Sequence, residues 1–306
     1  MTTFVDQIGS GTTLLTLVQR ASAEMGLGIP NFVIGNTTPD VVQTLYLINA
    51  VGQELSREYP WEALNKEYRF TTQYTQLTGT TTTGSAVVTG LSSTTGLDTT
   101  YMVSGTGINQ DTYISTVDSA TQVTLTQSAT ASGTVTLTFG KTKYDMPSDY
   151  DRQIDRTHYD KSKRWEMLGP ETPQQWQFLK SSYISTGPRL RYRIMGQYFQ
   201  IWPQMSTNEY LGLEYISENW VNNGLAATFT DDSDTCIYPD RLIILGLKKK
   251  YFEVKGFDAT YFERDYQREL AIAKANDQGS PTLSLAPRPA TVLIGWENIP
   301  DSNYGS

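Results

Sequence analysis

A chain of 306 residues can hold one large domain or two ordinary ones. Its net charge of −8 and pI near 4.8 argue against a protein that grips nucleic acid by its phosphates. One cysteine, Cys236, excludes an intrachain disulfide, and with a single histidine, His158, it argues against a zinc site. No apolar run reaches the ~18 residues of a membrane span. Met1–Thr12 is short, polar and acidic with no basic region, so no signal peptide is expected. Nineteen tyrosines and six tryptophans suit either interfaces or tyrosine-rich sheet faces.

Thr13–Met25 reads as a first helix with Leu14, Leu17, Val18 and Ala21 on its apolar face, ended by Gly26 and Gly28. The cleanest amphipathic helix follows at Thr38–Tyr59. Thr38 is placed to cap it, Pro39 fits its first position and Asp40 suits the dipole. Val41, Leu45, Ile48, Gly52, Leu55 and Tyr59 recur at steps of four and three, and Pro60 stops the helix. Such a stripe, roughly 30 Å long, needs helical partners. They are expected between Pro239 and Asn276. Lys66–Tyr74 alternates as a strand with Tyr68 and Phe70 on one face.

Composition then changes. Residues 78–140 are about one-third threonine and contain no Lys, Arg or Glu. Short β-branched runs around Val87, Met102, Ile114, Val123 and Val135, spaced by Gly and Asn, mark a small all-β module rather than disorder. Its flanks, Tyr68–Tyr74 and Lys141–Tyr144, are expected to pair, with the module hung from the hairpin tip. Beyond it, Gln153–Tyr159 and Arg164–Leu168 read as a hairpin. Thr172 and Pro173 open a short helix with Trp176, Phe178 and Leu179 for burial. Leu190–Met195 and Tyr198–Trp202 meander across Gly196, and Tyr210–Ser217 buries Leu211, Leu213 and Tyr215.

Asp231–Asp234 reads as a solvated linker. A dense helix from Pro239 and a charged helix over Asp258–Asn276, with Tyr261, Phe262, Tyr266, Leu270 and Ala273 on its face, form an αα-hairpin. From Gly279 the prolines Pro281, Pro287 and Pro289 favour an extended tail. That tail carries Val292, Leu293, Ile294, Trp296 and Ile299, apolar residues that need a docking surface on this chain or on a partner.

The fold class expected is therefore α+β: a helical bundle with an antiparallel β region, an inserted small all-β domain and an extended C-terminal arm. The division is 1–77 and 141–280 as the frame, 78–140 as the insert, and 281–306 as the arm. No catalytic, cofactor or metal constellation emerges. Gly140-Lys141-Thr142 lacks the earlier glycine of a P-loop, and a strand rather than a helix follows it. Asp231, Asp232 and Asp234 lack the glycine and distal glutamate of a calcium loop. His158 and Cys236 have no spacing that marks a triad. The Lys248-Lys249-Lys250 run is either a solvated face or a pairing surface for an acidic partner.

Several stretches in order resemble one family. They are Arg57-Glu58-Tyr59-Pro60-Trp61, Met146-Pro147-Ser148-Asp149-Tyr150-Asp151-Arg152 and Leu168-Gly169-Pro170-Glu171-Thr172-Pro173-Gln174-Gln175-Trp176. Arg193-Ile194-Met195-Gly196, Ile201-Trp202-Pro203, Leu213-Glu214-Tyr215-Ile216-Ser217 with Trp220, and Tyr238-Pro239-Asp240 through Lys255-Gly256 follow. Together, over residues 13–74 and 141–280, they resemble the head-to-tail adaptors of short-tailed bacteriophages, of the tail tubular A or tail accessory factor type. The insert departs from the minimal family pattern and is similar to small β modules of phage structural proteins.

The resemblance implies a virion protein of the neck, assembled in the host cytoplasm. It implies a ring of about twelve copies beneath the portal protein, which extends the DNA channel and carries the tail nozzle. DNA would pass without specific binding, on its way to genome ejection. Under that reading Gln43, Gln53, Arg57 and Glu58, with the lysine run, become the bundle's contact surface. The alternative classes are a carbohydrate-binding or tail-fibre-like protein, motivated by the β module, and a cell-wall hydrolase, which plentiful carboxylates leave open.

Overall fold

The computed structural model describes residues 11–181 and 189–277. In chain order the helices are α1 (Leu14–Met25), α2 (Pro39–Glu58), α3 (Pro173–Ser181), α4 (Asp240–Val254) and α5 (Thr260–Asp277). The strands are β1 (Asn65–Thr71), β2 (Tyr74–Thr81), β3 (Val87–Val88), β4 (Tyr101–Ser104), β5 (Ile114–Ser119), β6 (Gln122–Leu125) and β7 (Gly133–Lys141). They continue with β8 (Lys143–Asp145), β9 (Tyr150–Gln153), β10 (Tyr159–Asp160), β11 (Trp165–Glu166), β12 (Arg191–Met195), β13 (Tyr198–Trp202) and β14 (Tyr210–Ser217). Helices and antiparallel sheets share the chain, so the α+β class holds. The arm lies outside the described residues.

The chain forms two compact units. The first takes the chain up to Lys66, Asp149–Gln153 and the described residues from Tyr215 onward. Its centre is α4, which packs against α1, α2 and α5. Leu242, Ile243 and Leu247 of α4 are fully buried, each adding roughly 1.5–3 kcal/mol of transfer free energy. The helices approach closely at glycines. A Cβ on Gly246 would stand 2.7 Å from Val51 Cγ1 and 3.1 Å from Tyr266 Cε2. On α2, a Cβ on Gly52 would lie 2.2 Å from the Trp220 ring. Trp220 stacks on Tyr238 and meets Phe229 edge-on, while Trp61 donates Nε1–H to Leu55 O at 2.7 Å and packs on Tyr238. The Tyr59-Pro60-Trp61 stretch thus closes the end of α2.

The buried face of α2 differs from the expected stripe. Val41, Ile48, Gly52 and Leu55 are buried as predicted, but Thr44, Val51 and Ser56 share that face and Leu45 is only half-buried. The 100° step per residue places Thr44 and Val51 beside Ile48, and their small or branched side chains fit against α4. Thr38 precedes α2 without a side-chain cap, and its own amide donates to Asn36 Oδ1 at 2.8 Å. Thr13 does cap α1, accepting from the Thr16 amide, and Gly26 ends that helix at φ 70°.

Asp231–Asp234 is a fastening and not a linker. Asp232 accepts the amides of Val33 and Ile34 at 2.8–3.1 Å. Asp234, 5% exposed, accepts from Asn222 Nδ2 at 2.6 Å and from the Thr230 and Asp231 amides at 2.7 and 2.8 Å. Their backbone carbonyls take the Leu15 and Leu14 amides, the otherwise unpaired donors at the start of α1. The sequence hides this because acidic residues in a loop look solvated until amides converge on them. A second fastening is Asp149, which accepts from Lys66 Nζ (2.6 Å), Ser217 Oγ (2.7 Å) and Tyr215 Oη (2.9 Å). Beside it β9 pairs the last residues of β14.

The second unit takes Glu67–Ser148 and Ile154–Glu214. Two three-stranded sheets, β2-β7-β4 and β3-β6-β5, enclose Val88, Leu91, Val103, Val123, Leu137 and Phe139. The flanking strands do not pair as expected. β2 pairs β7 from Tyr74↔Gly140 to Thr81↔Gly133, whereas β8 pairs β13. The chain turns where the Thr72 amide donates to Glu209 O and the Gln73 amide to Tyr144 Oη, which separates β1 from β2. Nor do the module's strands hang from a tip. Met102 packs with Trp176 and Trp202, Lys180 pairs Asp111 at 2.9 Å, and Gly140 abuts Met205 O so closely that a Cβ would lie 2.9 Å away.

The predicted hairpin after Gln153 is shorter than read: β10 and β11 pair over two residues each. Phe178 of α3 is 59% exposed rather than buried, because Trp176 and the half-buried Leu179 take the inward side and Phe178 stands about 200° round the helix from Trp176. His158 is a core residue. It stacks on Tyr192 at 4.1 Å, with Phe199 beyond, and is hydrogen-bonded to Tyr192 Oη at 3.1 Å.

Two predictions follow from this packing. Gly52→Ala gains helix propensity of up to ~1 kcal/mol but drives a methyl into Trp220. We expect a net loss of about 1–3 kcal/mol in urea unfolding, substantially recovered by adding Trp220→Phe; a Gly52→Ala protein as stable as wild type would contradict the contact. Burial pushes His158 from 6.5 to about 4, so the unfolded chain binds a proton over that range that the folded protein refuses. Stability is therefore lost as pH falls from about 6.5 to about 4. A His158→Phe variant should lack roughly 2–3 kcal/mol of that loss, measured as denaturation midpoints against pH.

Candidate interaction surfaces

The sequence-predicted contact residues fall on the first unit, and the structure separates them. Gln53 and Arg57, one turn apart on α2, are both exposed and share a face. Gln43 is half-buried and lies about 40° round the helix from Arg57 and about 80° from Gln53. Glu58 is exposed and pairs Lys274 of α5 at 2.9 Å. The Arg57 backbone carbonyl accepts from the Arg152 guanidinium at 3.3 Å, and the residue itself is exposed.

The lysine run points three ways. Lys248 is buried, pairs Glu24 of α1 and lies 5.8 Å over the Phe262 ring. Burial lowers its pKa. Lys249 pairs Glu263 of α5, whose carboxyl that bond holds low, and sits over Tyr266. Lys250 pairs Glu54 of α2. The three ammonium groups thus bind α4 to α1, α5 and α2 in turn. Consecutive helical residues step by 100°, so three lysines in a row cannot share one outward face. Partly exposed pairs of this kind contribute ~0–1 kcal/mol each.

Other exposed apolar groups escaped the sequence reading. Val254, Phe257 and Tyr261 at the α4–α5 turn are 59%, 62% and 61% exposed. They adjoin an aromatic cluster in which Phe252 meets Phe257 at 6.0 Å and Phe262 at 4.7 Å, while Tyr261 meets Phe262 at 5.7 Å. Tyr261 was expected on the buried face of α5. Instead it lies outward beneath the Arg264 guanidinium, because five residues before Tyr266 it stands about 140° round the helix from the buried Tyr266. Tyr46, 72% exposed, is a further outward aromatic on α2. The one available signal was position: Phe257 follows the helix-breaking Gly256, and Tyr46 lies off the apolar stripe. The arm residues Val292, Leu293, Ile294, Trp296 and Ile299 lie outside the described residues.

The groups weighed for chemistry are engaged in structure. The Cys236 thiol is buried, donates to Tyr238 O at 3.5 Å and is pushed up to about 12 by burial, so it holds little nucleophilic thiolate at neutral pH. Burial alone would raise Asp234, but its hydrogen bonds from Asn222, Thr230 and Asp231 outweigh that and hold the carboxyl low. Among the described residues no group of three or more His, Cys, Asp or Glu could hold a metal ion. No described helix is long and apolar enough to cross a membrane. The described surface offers side chains suited to protein contact: exposed aromatics, an outward Arg57 and a tightly paired bundle behind them.

Comparison with known proteins gives one family. No curated protein matches the chain. Residues 108–293, well over half of it, match the family described as SU10 adaptor protein, a span that runs from the second half of the Thr-rich strands through α5. The chain therefore belongs to the SU10 adaptor protein family and is an adaptor-type structural protein of a bacteriophage, a class defined by assembly and not by catalysis.

Proposed function

We propose that this protein is the head-to-tail adaptor of a short-tailed bacteriophage. About twelve copies form a closed ring beneath the portal protein, extend the DNA channel and give the tail nozzle its attachment platform. Residues 1–77 and 141–280 serve as the frame, 78–140 as an inserted module and 281–306 as a docking arm. The family match over residues 108–293 carries this reading. The charge supports it, since a net −8 per copy disfavours stable binding of the DNA that passes during ejection. The bundle supports it too, because its charged residues are paired internally and its exposed side chains are free to meet other proteins.

In this reading Gln43, Gln53, Arg57 and Glu58 face the neighbouring copy in the ring. Lys248, Lys249 and Lys250 act from within, holding the bundle wall in shape. The apolar arm residues Val292, Leu293, Ile294, Trp296 and Ile299 provide the hook that joins copies or the portal. The particle is completed in the host cytoplasm, and the protein resides in the virion neck.

Mixing the purified protein with portal protein and imaging by negative stain should give a twelvefold ring on the portal. Deleting Ala286–Ser306 should leave the monomer's circular dichroism unchanged and reduce joined particles at least tenfold. Persistent monomers with intact protein would contradict the ring, and unchanged joining by the truncated chain would contradict the arm's part in it.

A further inference from the structure

We propose that the Leu225 loop of one copy seats in the groove between α1, α4 and α5 of the next copy, a head-to-tail contact that closes the ring. This contact rests on the reading of the protein as a ring-forming adaptor. Both surfaces belong to the first unit. The groove encloses about 460 Å³ over a floor of Ile244, Leu245, Tyr261 and Phe262. Leu225, at 80%, is the most exposed of the large apolar residues described.

A braced turn holds that leucine out. Asn222, Asn223 and Gly224 take φ of 50°, 55° and 86° in succession, the left-handed region that asparagine and glycine enter at least cost. Asn222 Nδ2 donates to the buried Asp234 at 2.6 Å, its Oδ1 accepts the Thr235 amide at 2.9 Å, and Lys66 Nζ donates to Gly224 O at 2.7 Å. The tip is thus ordered before a partner arrives, which lowers the entropic cost of docking it.

The groove suits an uncharged occupant because its own charges are already matched. Arg20 pairs Asp240 at 3.1 Å, Lys248 pairs Glu24, Arg241 pairs Glu269 at 3.3 Å and Asp265 faces Arg264 at 3.9 Å. An incoming charge would compete with these pairs, whereas an apolar side chain covers the floor and leaves them intact. Residues 219–230, which build the loop, contain no charged side chain.

Position makes that occupant a second copy. On α4 the groove residues Arg241, Ile244, Leu245 and Lys248 lie about 170° round the helix from Gly246 and Lys250, which face α2. The loop is footed on α2: Trp220 packs against Gly52, and the Phe229 amide donates to Asn49 Oδ1 at 2.9 Å. It is therefore turned away from the groove of its own chain. Two different surfaces on opposite sides of a unit make a heterologous contact, the kind that closes into a ring when its rotation allows. Gln53 and Arg57, already read as ring-facing, stand about 40° and 80° round α2 from Asn49 and extend the same side.

The test uses the full chain assembled on portal protein. Leu225→Asp changes a side chain that touches little of its own fold, so circular dichroism and Tm should match wild type. Rings counted by negative stain should fall at least tenfold, and Leu225→Met should keep them. For position, protein with Leu225→Cys is mixed with protein carrying Leu245→Cys and lightly oxidised; Cys236 is buried with its thiol at about 12 and stays silent. The 225–245 disulfide should exceed at least tenfold the yield with Gln267→Cys, an exposed residue about 170° round α5 from the groove side. Wild-type ring numbers with Leu225→Asp, equal yields at 245 and 267, or a 225–225 product in their place would overturn the contact and leave the ring standing. Wild-type protein that forms no ring on the portal would remove the ring reading and this contact with it.

Discussion

At Gly246 the backbone of α4 runs so close to α2 and α5 that hydrogen is the only side chain that fits. Val51 Cγ1 and Tyr266 Cε2 occupy the space a methyl would need. That approach lets α4 touch three helices at once and bury Leu242, Ile243 and Leu247 completely. The lysines that follow then find a carboxylate on each neighbour: Glu24, Glu263 and Glu54. Small-residue contact brings the helices together, and the ion pairs fix their rotation. Separately, each exposed pair contributes little. Placed around a helix already held by packing, they specify which face meets which neighbour.

Buried carboxylates play the corresponding part in the loops. Asp149 and Asp232 each gather two or more donors from segments distant in sequence, and Asp234 joins the amides of its own loop to the Asn222 side chain. A carboxylate that accepts several amides removes several otherwise unsatisfied donors in one place, which a water-filled loop would leave mobile. For a protein whose task is to present fixed surfaces to other proteins, this has a direct use. Interfaces assemble with less entropic cost when the presenting loops are already ordered. The strands of the Thr-rich region obey the same logic within the second unit, where Gly140, Met102 and Asp111 fix them against Met205, Trp176 and Lys180.

Much of the fold was legible because it rests on local rules. The spacing of Val41, Ile48 and Leu55 and the position of Pro39 and Pro60 located α2 to within a residue. The β-branched runs at Val87, Val103, Val123 and Leu137 located strands in a segment whose composition suggests disorder. What local rules could not supply were the partners. Nothing near Lys248 indicates Glu24, and nothing near Asp234 indicates Asn222. The hub also shifted. Periodicity favoured α2 because its stripe is clean, whereas α4, apolar on several sides, reads as less amphipathic for the very reason that it is central. Phe178 and Tyr261 were misplaced because they stand about 200° and 140° round their helices from the buried Trp176 and Tyr266, so an apolar side chain off the stripe was taken for one on it. The broader class, a bacteriophage adaptor, was legible from the order of short stretches, several of which prove structural: Tyr59-Pro60-Trp61 closes α2, and Asp149 ties Lys66 to Tyr215 and Ser217. The proposed contact face was harder to read, since exposure depends on which copies and partners surround the chain.

The central claim is that the close approach at Gly246 organises the first unit as one cooperative block. Hydrogen exchange on a Gly246→Val variant tests it most directly. The account predicts that protection falls together in α1, α2, α4 and α5, while the β2–β7 ladder, held by its own core, keeps its protection. Loss confined to α4, or a variant exchanging like wild type throughout, would contradict it.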